Sequence, residues 1–220
     1  MMQKAIFHLH THCSKDASIQ PEALLDFALK HDIKILGVTD HNSIQGALEV
    51  QELALRKSSA VKVIVGSEIA TESGEVIGLF LKKDIQSRMS VLKTIEEIKS
   101  QNGLVYLPHP FDTLRRERIR DKSLIEQNEK WIDVIEVFNS RCLKRKDNRN
   151  AAIFSDRFQK HQLWGSDAHF LYELKNCIVE MPGFENQNDF LEKLKYAKPI
   201  ATKKSYRGFL QSILRKYLFF

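Results

Sequence analysis

The sequence has few of the features that mark membrane, extracellular or low-complexity proteins. Its 220 residues include only three cysteines, nine glycines and five prolines, and no apolar run approaches the roughly 20 residues of a membrane-spanning helix. Three widely spaced cysteines support neither a disulfide framework nor a CxxC zinc site. The first residues form no apolar signal segment. We therefore expect a cytoplasmic protein with reduced thiols and no transmembrane segment.

The glycine motifs of nucleotide-binding folds are also missing, because neither GxGxxG nor GxxxxGK[ST] follows any predicted strand. What the chain does contain is 43% hydrophobic residues, and 34 Lys and Arg against 28 Asp and Glu, for a net charge of +6. This length and composition fit one globular domain. The positive charge favours phosphates or nucleic acid as partners, although a solvated basic surface explains it equally well.

Short apolar, β-branched segments alternate with helical patterns along the chain. The predicted strands are residues 5–8, 33–40, 61–68, 76–81, 103–109, 134–139 and 163–167. Helical patterns cover residues 21–30, 43–56 and 90–100. Repeated β/α units predict a parallel α/β sheet, either a small barrel or an open doubly wound sheet.

Polar residues at the ends of these strands favour the barrel, because parallel barrels gather their active-site groups there. These residues are His8, Asp40, His41, Glu68, His109, Asp167 and His169. His8 and His10 alternate along one strand, so both imidazoles can face one metal ion. Imidazole and carboxylate together favour zinc, iron or manganese, and the candidates exceed the four ligands of one closed site. We expect more than one metal ion.

Five motifs resemble those of the PHP (polymerase and histidinol phosphatase) family. In the family's order they are HLHTHCSKD at 8–16, GVTDHN at 37–42, GSE at 66–68, PHP at 108–110 and GSDAH at 165–169. The resemblance spans roughly residues 6–183. It implies a distorted (β/α)7 TIM-like barrel, two or three divalent ions (zinc, manganese or iron) at its C-terminal face, and hydrolysis of a phosphoester.

The resemblance also implies roles for eight side chains, in three groups. The first metal is assigned to His8, His10, Glu68 and Asp167, the second to Glu68 as a bridge together with His109, and the third to Asp16, His41 and His169. Of these, Glu68, Asp167 and His169 are also the candidate catalytic residues. Ions about 3.5–4 Å apart share a bridging hydroxide that can attack phosphorus. No side-chain nucleophile is then required.

Two features depart from the family pattern. The family often has an acidic residue two positions before the first histidine, where this chain has Ile6; this predicts the loss of a carboxylate that orients the imidazole. The remaining ligand of the second metal should follow strand 134–139, which offers Glu136, Asn139 or Cys142 and no histidine. That ligand stays open.

The register of the first motif has an alternative, because His12 continues the alternation of His8 and His10. We prefer His8 and His10 because that choice brings Asp16 into the family pattern. The donor of a proton to the leaving group also stays open, since His12, His169 or a metal-bound water could serve.

Two basic segments lie just beyond predicted strands, at residues 114–120 and 141–146. Arg115 and Arg141 lie in strings that resemble the small stand-alone members of the family. A guanidinium group can hold a phosphate through two parallel hydrogen bonds. We predict that these two arginines bind the substrate phosphate.

The domain prediction is a phosphoesterase barrel over residues 1–200, followed by a basic amphipathic helix over residues 201–220. This helix could pack on the barrel, join a second subunit in a homo-oligomer, or lie on an anionic membrane. The predicted function is a hydrolase of phosphoric esters, with a phosphorylated small molecule or short nucleic acid as its substrate. The alternatives are a non-catalytic or nucleic-acid-binding PHP module, an exonuclease acting on 5′-phosphorylated ends, and an amidohydrolase acting on C–N bonds.

Overall fold

A computed structural model describes residues 1–218 of the chain. The strands are β1 (Met2–Leu9), β2 (Ile33–Val38), β3 (Lys62–Thr71), β4 (Gly74–Leu79), β5 (Leu104–Leu107), β6 (Val134–Asn139), β7 (His161–Ala168), β8 (Cys177–Pro182) and β9 (Lys198–Thr202). The α-helices are α1 (Pro21–Lys30), α2 (Gln45–Arg56), α3 (Val91–Ser100), α4 (Lys122–Gln127), α5 (Arg145–Arg157), α6 (Gln187–Leu194) and α7 (Tyr206–Leu218). Two short 3-10 helices span Glu129–Trp131 and Leu171–Lys175.

Strands β1 to β7 close into a barrel. They pair in chain order from β2 to β7, and β1 completes the ring by pairing with both β7 and β2. Helices such as α2 and α5 pack on the outside, against β3 and β6. The predicted distorted seven-stranded barrel is confirmed.

Strand β4 runs antiparallel to both of its neighbours, so the prediction of an all-parallel sheet is wrong for this strand. A tight hairpin pairs Thr71 with Gly74. Gly74 has a φ of 139°, and a Cβ there would lie 2.4 Å from the backbone nitrogen of Ile119. Because the chain reverses here, β4 begins at the edge of the barrel where β3 ends.

The sequence patterns missed β8 and β9. The first half of β1 pairs antiparallel with β8, from Met2 opposite Pro182 to Ala5 opposite Val179, and β9 adds to β8. The second half of β1 pairs with β7 instead. Burial alternates strictly along β8, but six residues with one buried face give a weak sequence signal.

The barrel interior is filled by side chains from all seven of its strands. Phe7, Ile35 and Tyr106 are among them, and Phe190 of α6 packs into the same cluster. A second cluster lies between the strands and the surrounding helices and includes Leu25 of α1. Each such buried side chain stabilises the fold by about 1.5–3 kcal/mol. Polar side chains lie instead at the end of the barrel where the parallel strands terminate.

The side chains described as buried in and just before helix α7 are small and polar, which the amphipathic pattern did not predict. Ser205, just before the helix, and Ser212 are buried, whereas Tyr206, Leu210 and Leu214 are each about 60% exposed. Strand β9 continues to residue 202, so the predicted boundary at residue 200 falls within a strand. Residues 219 and 220 of the predicted helix lie outside the described residues. Among residues 1–218, no helix is both long and apolar enough to cross a membrane.

Candidate metal centre

The eight side chains predicted to bind metal come together at one end of the barrel. Each lies within 3.7 Å of another member through a histidine nitrogen and a carboxylate oxygen. The set is His8, His10, Asp16, His41, Glu68, His109, Asp167 and His169. Residues from five barrel strands or the loops that follow them thus form one cluster.

The first group, of His8, His10, Glu68 and Asp167, has the geometry of a metal site. The Nε2 atoms of both histidines lie 3.4 Å from Glu68 Oε2, and 3.7 and 3.5 Å from Asp167 Oδ1. Ligand atoms around one tetrahedral zinc lie about 3.4 Å apart. All four atoms are buried and have no hydrogen-bond partner. Because buried polar atoms are almost always satisfied, these four atoms are suited to bind a cation.

The backbone at three of the eight clustered residues is strained. His8, His109 and Asp167 have φ angles of 54°, 30° and 50°, in a region that non-glycine residues rarely adopt. The β1 ladder also shifts register between Ile6 and Leu9. The two histidines of the first motif therefore converge through an irregular strand end and not through simple alternation. Strain of this kind persists where the surrounding structure holds a functional site.

The second group contains a residue that the sequence did not predict. His109 Nε2 lies 2.9 Å from Glu68 Oε1. Glu75, on β4, is the unpredicted residue. Its Oε2 lies 3.8 Å from His109 Nε2, and its Oε1 lies 3.7 Å from His41 Nδ1. Its Oε2 is buried without a hydrogen-bond partner. Burial, aided by the negative charge of Glu68, raises the pKa of Glu75 to about 8.

The third group combines Asp16, His41 and His169. Asp16 Oδ2 lies 3.5 Å from His169 Nε2, and Asp16 Oδ1 lies 3.6 Å from His41 Nε2. Burial opposes ionisation of Asp16, but the two histidines outweigh it and hold its pKa below the usual range. Burial likewise opposes protonation of His41, yet the hydrogen bond to Asp16 and nearby carboxylates raise its pKa to about 10.

Glu136 holds two of the clustered histidines, His8 and His109, in place. Its Oε1 accepts hydrogen bonds from His8 Nδ1 and from the hydroxyl of Tyr106, both at 2.7 Å. Its Oε2 accepts from the backbone nitrogen of His109 at 2.7 Å and from Asn139 Nδ2 at 2.9 Å. A proton on His8 Nδ1 leaves Nε2 free to bind a metal.

Glu136 corrects the expectation that arose from Ile6. His8 does have an orienting carboxylate, but it comes from β6 and not from β1. The other candidates on this segment are also engaged elsewhere. Asn139 donates to Glu136 and to Asp167, and the Cys142 thiol faces the carbonyl of Lys144.

Asp40 organises the loop that carries Asp16. Its carboxylate accepts from the backbone and hydroxyl of Thr11, both at 2.7 Å, and from the Ser14 hydroxyl at 2.6 Å. The Ser14 hydroxyl in turn accepts from the backbone nitrogen of His41 at 3.0 Å. Asp40 therefore supports the third group but is not a member of it. His12 lies at the rim, 3.6 Å from Glu49 Oε2.

The two predicted phosphate-binding arginines lie in different surroundings. Arg115 reaches the cluster, with Nη2 2.5 Å from Asp167 Oδ2. Arg141 is 4% exposed; its Nε donates to Glu173 Oε1 at 3.2 Å, and its Nη2 donates to the Gly208 carbonyl and to Ser212 Oγ. The structure thus brings Arg115 to the metal ligands and holds the Arg141 guanidinium against α7.

Comparison with known proteins places this cluster in a family. A model of the PHP domain matches residues 7–179. The chain belongs to the PHP domain family. The resemblance drawn from the five motifs is thereby confirmed, and the matched range contains all eight clustered residues.

Relatives of this PHP protein extend over most of its length. The uncharacterized protein MJ0417 of Methanocaldococcus jannaschii is 34% identical over 202 residues, which cover 87% of this chain and 79% of that protein. A two-domain protein of Bacteroides vulgatus, described as containing a predicted PHP-like metal-dependent phosphoesterase, superposes with a TM-score of 0.72 at 18% identity, over 98% of this chain and 70% of that one. PsfC of Pseudomonas syringae superposes with a TM-score of 0.67 at 16% identity, over 99% of both chains.

Proposed function

We propose that this PHP protein is a metal-dependent phosphoesterase that hydrolyses phosphomonoester or phosphodiester bonds in a nucleotide or another small phosphorylated molecule. One observation carries the proposal: buried imidazole nitrogens and carboxylate oxygens without hydrogen-bond partners converge at the end of the barrel. Family membership and the phosphoesterase description of the Bacteroides vulgatus protein support it.

The donor set suits two or three divalent ions of zinc, manganese or iron. His8, His10, Glu68 and Asp167 would hold the first. Glu68 presents its two oxygens to different histidines, Oε1 to His109 and Oε2 to His10, so it is suited to bridge two ions. When bound, the ions would supply a nucleophile derived from water and neutralise charge on the phosphoryl oxygens.

Glu75 would complete the second group. It brings a carboxylate to His109 from the side opposite β6, and its Oε2 has no other partner. This removes the need for a ligand from Glu136, whose four hydrogen bonds already occupy both oxygens. The third group would consist of Asp16, His41 and His169.

The side chains beside the ions would orient the substrate and move protons. Asp167 directs Oδ1 to the histidines and Oδ2 to Arg115, so the Arg115 guanidinium would lie beside a phosphoryl group bound at the ions. His169 Nδ1 lies 3.0 Å from the Asp167 carbonyl, so its Nε2 is left for the third group or for proton transfer to the leaving group. His12 at the rim is the other candidate donor. Phosphate binding by Arg141 stays a prediction.

A cleft next to the centre favours one further candidate, an exonuclease acting on short 5′-phosphorylated nucleic acid. The cleft measures about 510 Å³ and lies between the β3–β4 hairpin and residues 116–121. Glu75 lines it together with Arg116, Arg118 and Arg120. The lining also contains Glu72, Glu117 and Asp121, so the cleft is mixed in charge. Its three guanidinium groups are the ones that would contact a second phosphate or a nucleotide leaving group.

The test is hydrolysis of p-nitrophenyl phosphate, bis-p-nitrophenyl phosphate and a 5′-phosphorylated oligonucleotide, with manganese and with chelator. We expect turnover of at least one substrate, abolished by chelator and by Glu68→Gln, with the variant still folded by circular dichroism. The preferred substrate separates monoesterase, diesterase and exonuclease. A folded, metal-loaded protein that hydrolyses none of the three would favour the non-catalytic module.

A further inference from the structure

A buried ion pair lies between the metal centre and helix α7. Arg141 and Glu173 are 4% and 0% exposed, and Arg141 Nε donates to Glu173 Oε1 at 3.2 Å. Removing two such charges from water is costly unless both are fully hydrogen-bonded. Here Glu173 accepts four hydrogen bonds and the Arg141 guanidinium donates three. Apart from the bond between them, these bonds connect the pair to His169 on one side and to α7 on the other. We call Arg141, Glu173, Ser205, Gly208 and Ser212 the brace.

The first set of hydrogen bonds connects the ion pair to His169. The second oxygen of Glu173, Oε2, accepts from the backbone nitrogen of His169 at 2.9 Å and from that of Phe170 at 3.0 Å. Hydrogen bonds from backbone nitrogens to a buried carboxylate are strong and geometrically specific. Glu173 therefore fixes the chain at the point where the His169 imidazole enters the third group.

The second set of hydrogen bonds connects the ion pair to α7 and then to Asp16. Ser205 Oγ donates to Glu173 Oε1, and the Gly208 carbonyl accepts from Arg141 Nη2. Ser212 Oγ accepts from Arg141 Nη2 at 2.6 Å and donates to the backbone carbonyl of Asp16 at 3.3 Å. One serine of α7 thus touches both the ion pair and the loop that carries Asp16.

Gly208 makes this approach possible. A Cβ at this position would lie 1.7 Å from Glu173 Oε1 and 2.6 Å from Ser205 Oγ. Any larger residue must push the carboxylate away from its partners. Helix α7 packs here through its backbone and small polar side chains, while the larger apolar residues Leu210 and Leu214 face outward.

We propose that the brace makes α7 part of the third metal site: Arg141, Glu173 and Ser212 are positioning residues that hold Asp16 and His169 at metal-binding distance. This inference rests on the proposed function. Asp16 Oδ2 and His169 Nε2 lie 3.5 Å apart on two separate loops, and the contacts of the brace join the backbones of both. Among the described residues, no hydrogen bond joins His8 or His10 of the first group to the brace. In the same part of the chain, the brace approaches Asp167 of that group only through Asn139 and Ser166, and its side chains act on the two loops of the third group. Loss of these side-chain contacts therefore weakens the third ion most.

The test compares Ser212→Ala and Gly208→Ala with the wild type and with Tyr172→Phe. The control removes the hydrogen bond from the Tyr172 hydroxyl to Gln211 Oε1, which also joins α7 to the barrel but lies outside the brace. Manganese bound per chain is measured by equilibrium dialysis with mass spectrometry. Cobalt-substituted samples give an absorption spectrum that reports ligand geometry. Thermal unfolding of the metal-free proteins separates loss of fold from loss of metal.

We expect one manganese ion per chain to dissociate about tenfold more readily from both brace variants, because loss of a group that orients a ligand typically costs 10- to 100-fold in metal affinity. The other ions and the Tyr172→Phe control should match the wild type. Equal affinities in all four proteins would overturn the proposal, as would an equal loss of every ion. A wild type that binds no manganese would instead overturn the proposed function.

Discussion

The carboxylate of Glu136 is the most sharply testable element of the site, because it accepts four hydrogen bonds in a fully buried position. In Glu136→Gln one oxygen becomes an amide NH2 group, so two of the four donors face another donor. A hydrogen bond to a charged group contributes about 1.5–3 kcal/mol. The variant should therefore lose about 3–6 kcal/mol, which is a large part of the roughly 5–15 kcal/mol that stabilises an ordinary domain.

The assay is urea unfolding of the metal-free protein, followed by manganese dialysis of whatever remains folded. Manganese affinity should fall about 10- to 100-fold, since His8 loses the group that fixes its tautomer. Tyr106→Phe is the matched control: it removes one donor to the same oxygen, should cost about 1.5–3 kcal/mol, and leaves the His8 contact in place. Wild-type stability and affinity in Glu136→Gln would refute this account of the network.

Three further predictions follow from individual contacts. Gly165→Ala places a Cβ 1.7 Å from Glu136 Oε1, so urea unfolding and manganese dialysis should show losses like those of Glu136→Gln; an unchanged variant would contradict the packing. Arg115→Lys keeps a charge beside Asp167 but lacks the guanidinium fork, so KM for the preferred phosphoester should rise about tenfold, or about 1.4 kcal/mol, with metal content retained. His41 and Glu75 have pKa values of about 10 and about 8 in the metal-free protein, so both hold protons at neutral pH that a bound metal must displace. Manganese affinity should therefore rise between about pH 6 and pH 8, and calorimetry in two buffers should detect the released protons. A pH-independent affinity would exclude this displacement of protons.

Strand ends were the part of the site that the sequence could predict. His109 and Asp167 each follow an apolar segment, and the ends of parallel strands meet at one edge of a barrel. The same argument failed for Glu75, because it assumes that every strand runs in the same direction. An apolar period of two does not encode strand direction. Glu75 is at the start of the one antiparallel strand of the barrel, directly after the turn at Gly74.

The contacts that hold the ligands in place could not be predicted at all. His8 and Glu136 are 128 positions apart. No local sequence pattern shows that an acidic residue on β6 orients the His8 imidazole in place of one on β1. Arg141 presents the same difficulty. Its position after a strand indicated a phosphate site, but Glu173 and Ser212, 32 and 71 positions away, engage its guanidinium. Such pairings depend on how distant loops meet around the barrel.

We propose that this centre hydrolyses phosphoesters by means of two or more bound divalent ions. A titration of the metal-free protein with manganese tests it most directly, with bound metal and hydrolysis of the preferred substrate measured on the same samples. We predict that activity rises as the bound metal passes from one to two ions per chain, because Glu68 joins two ligand groups. Activity that is complete at one ion, or absent at full occupancy, would contradict the account.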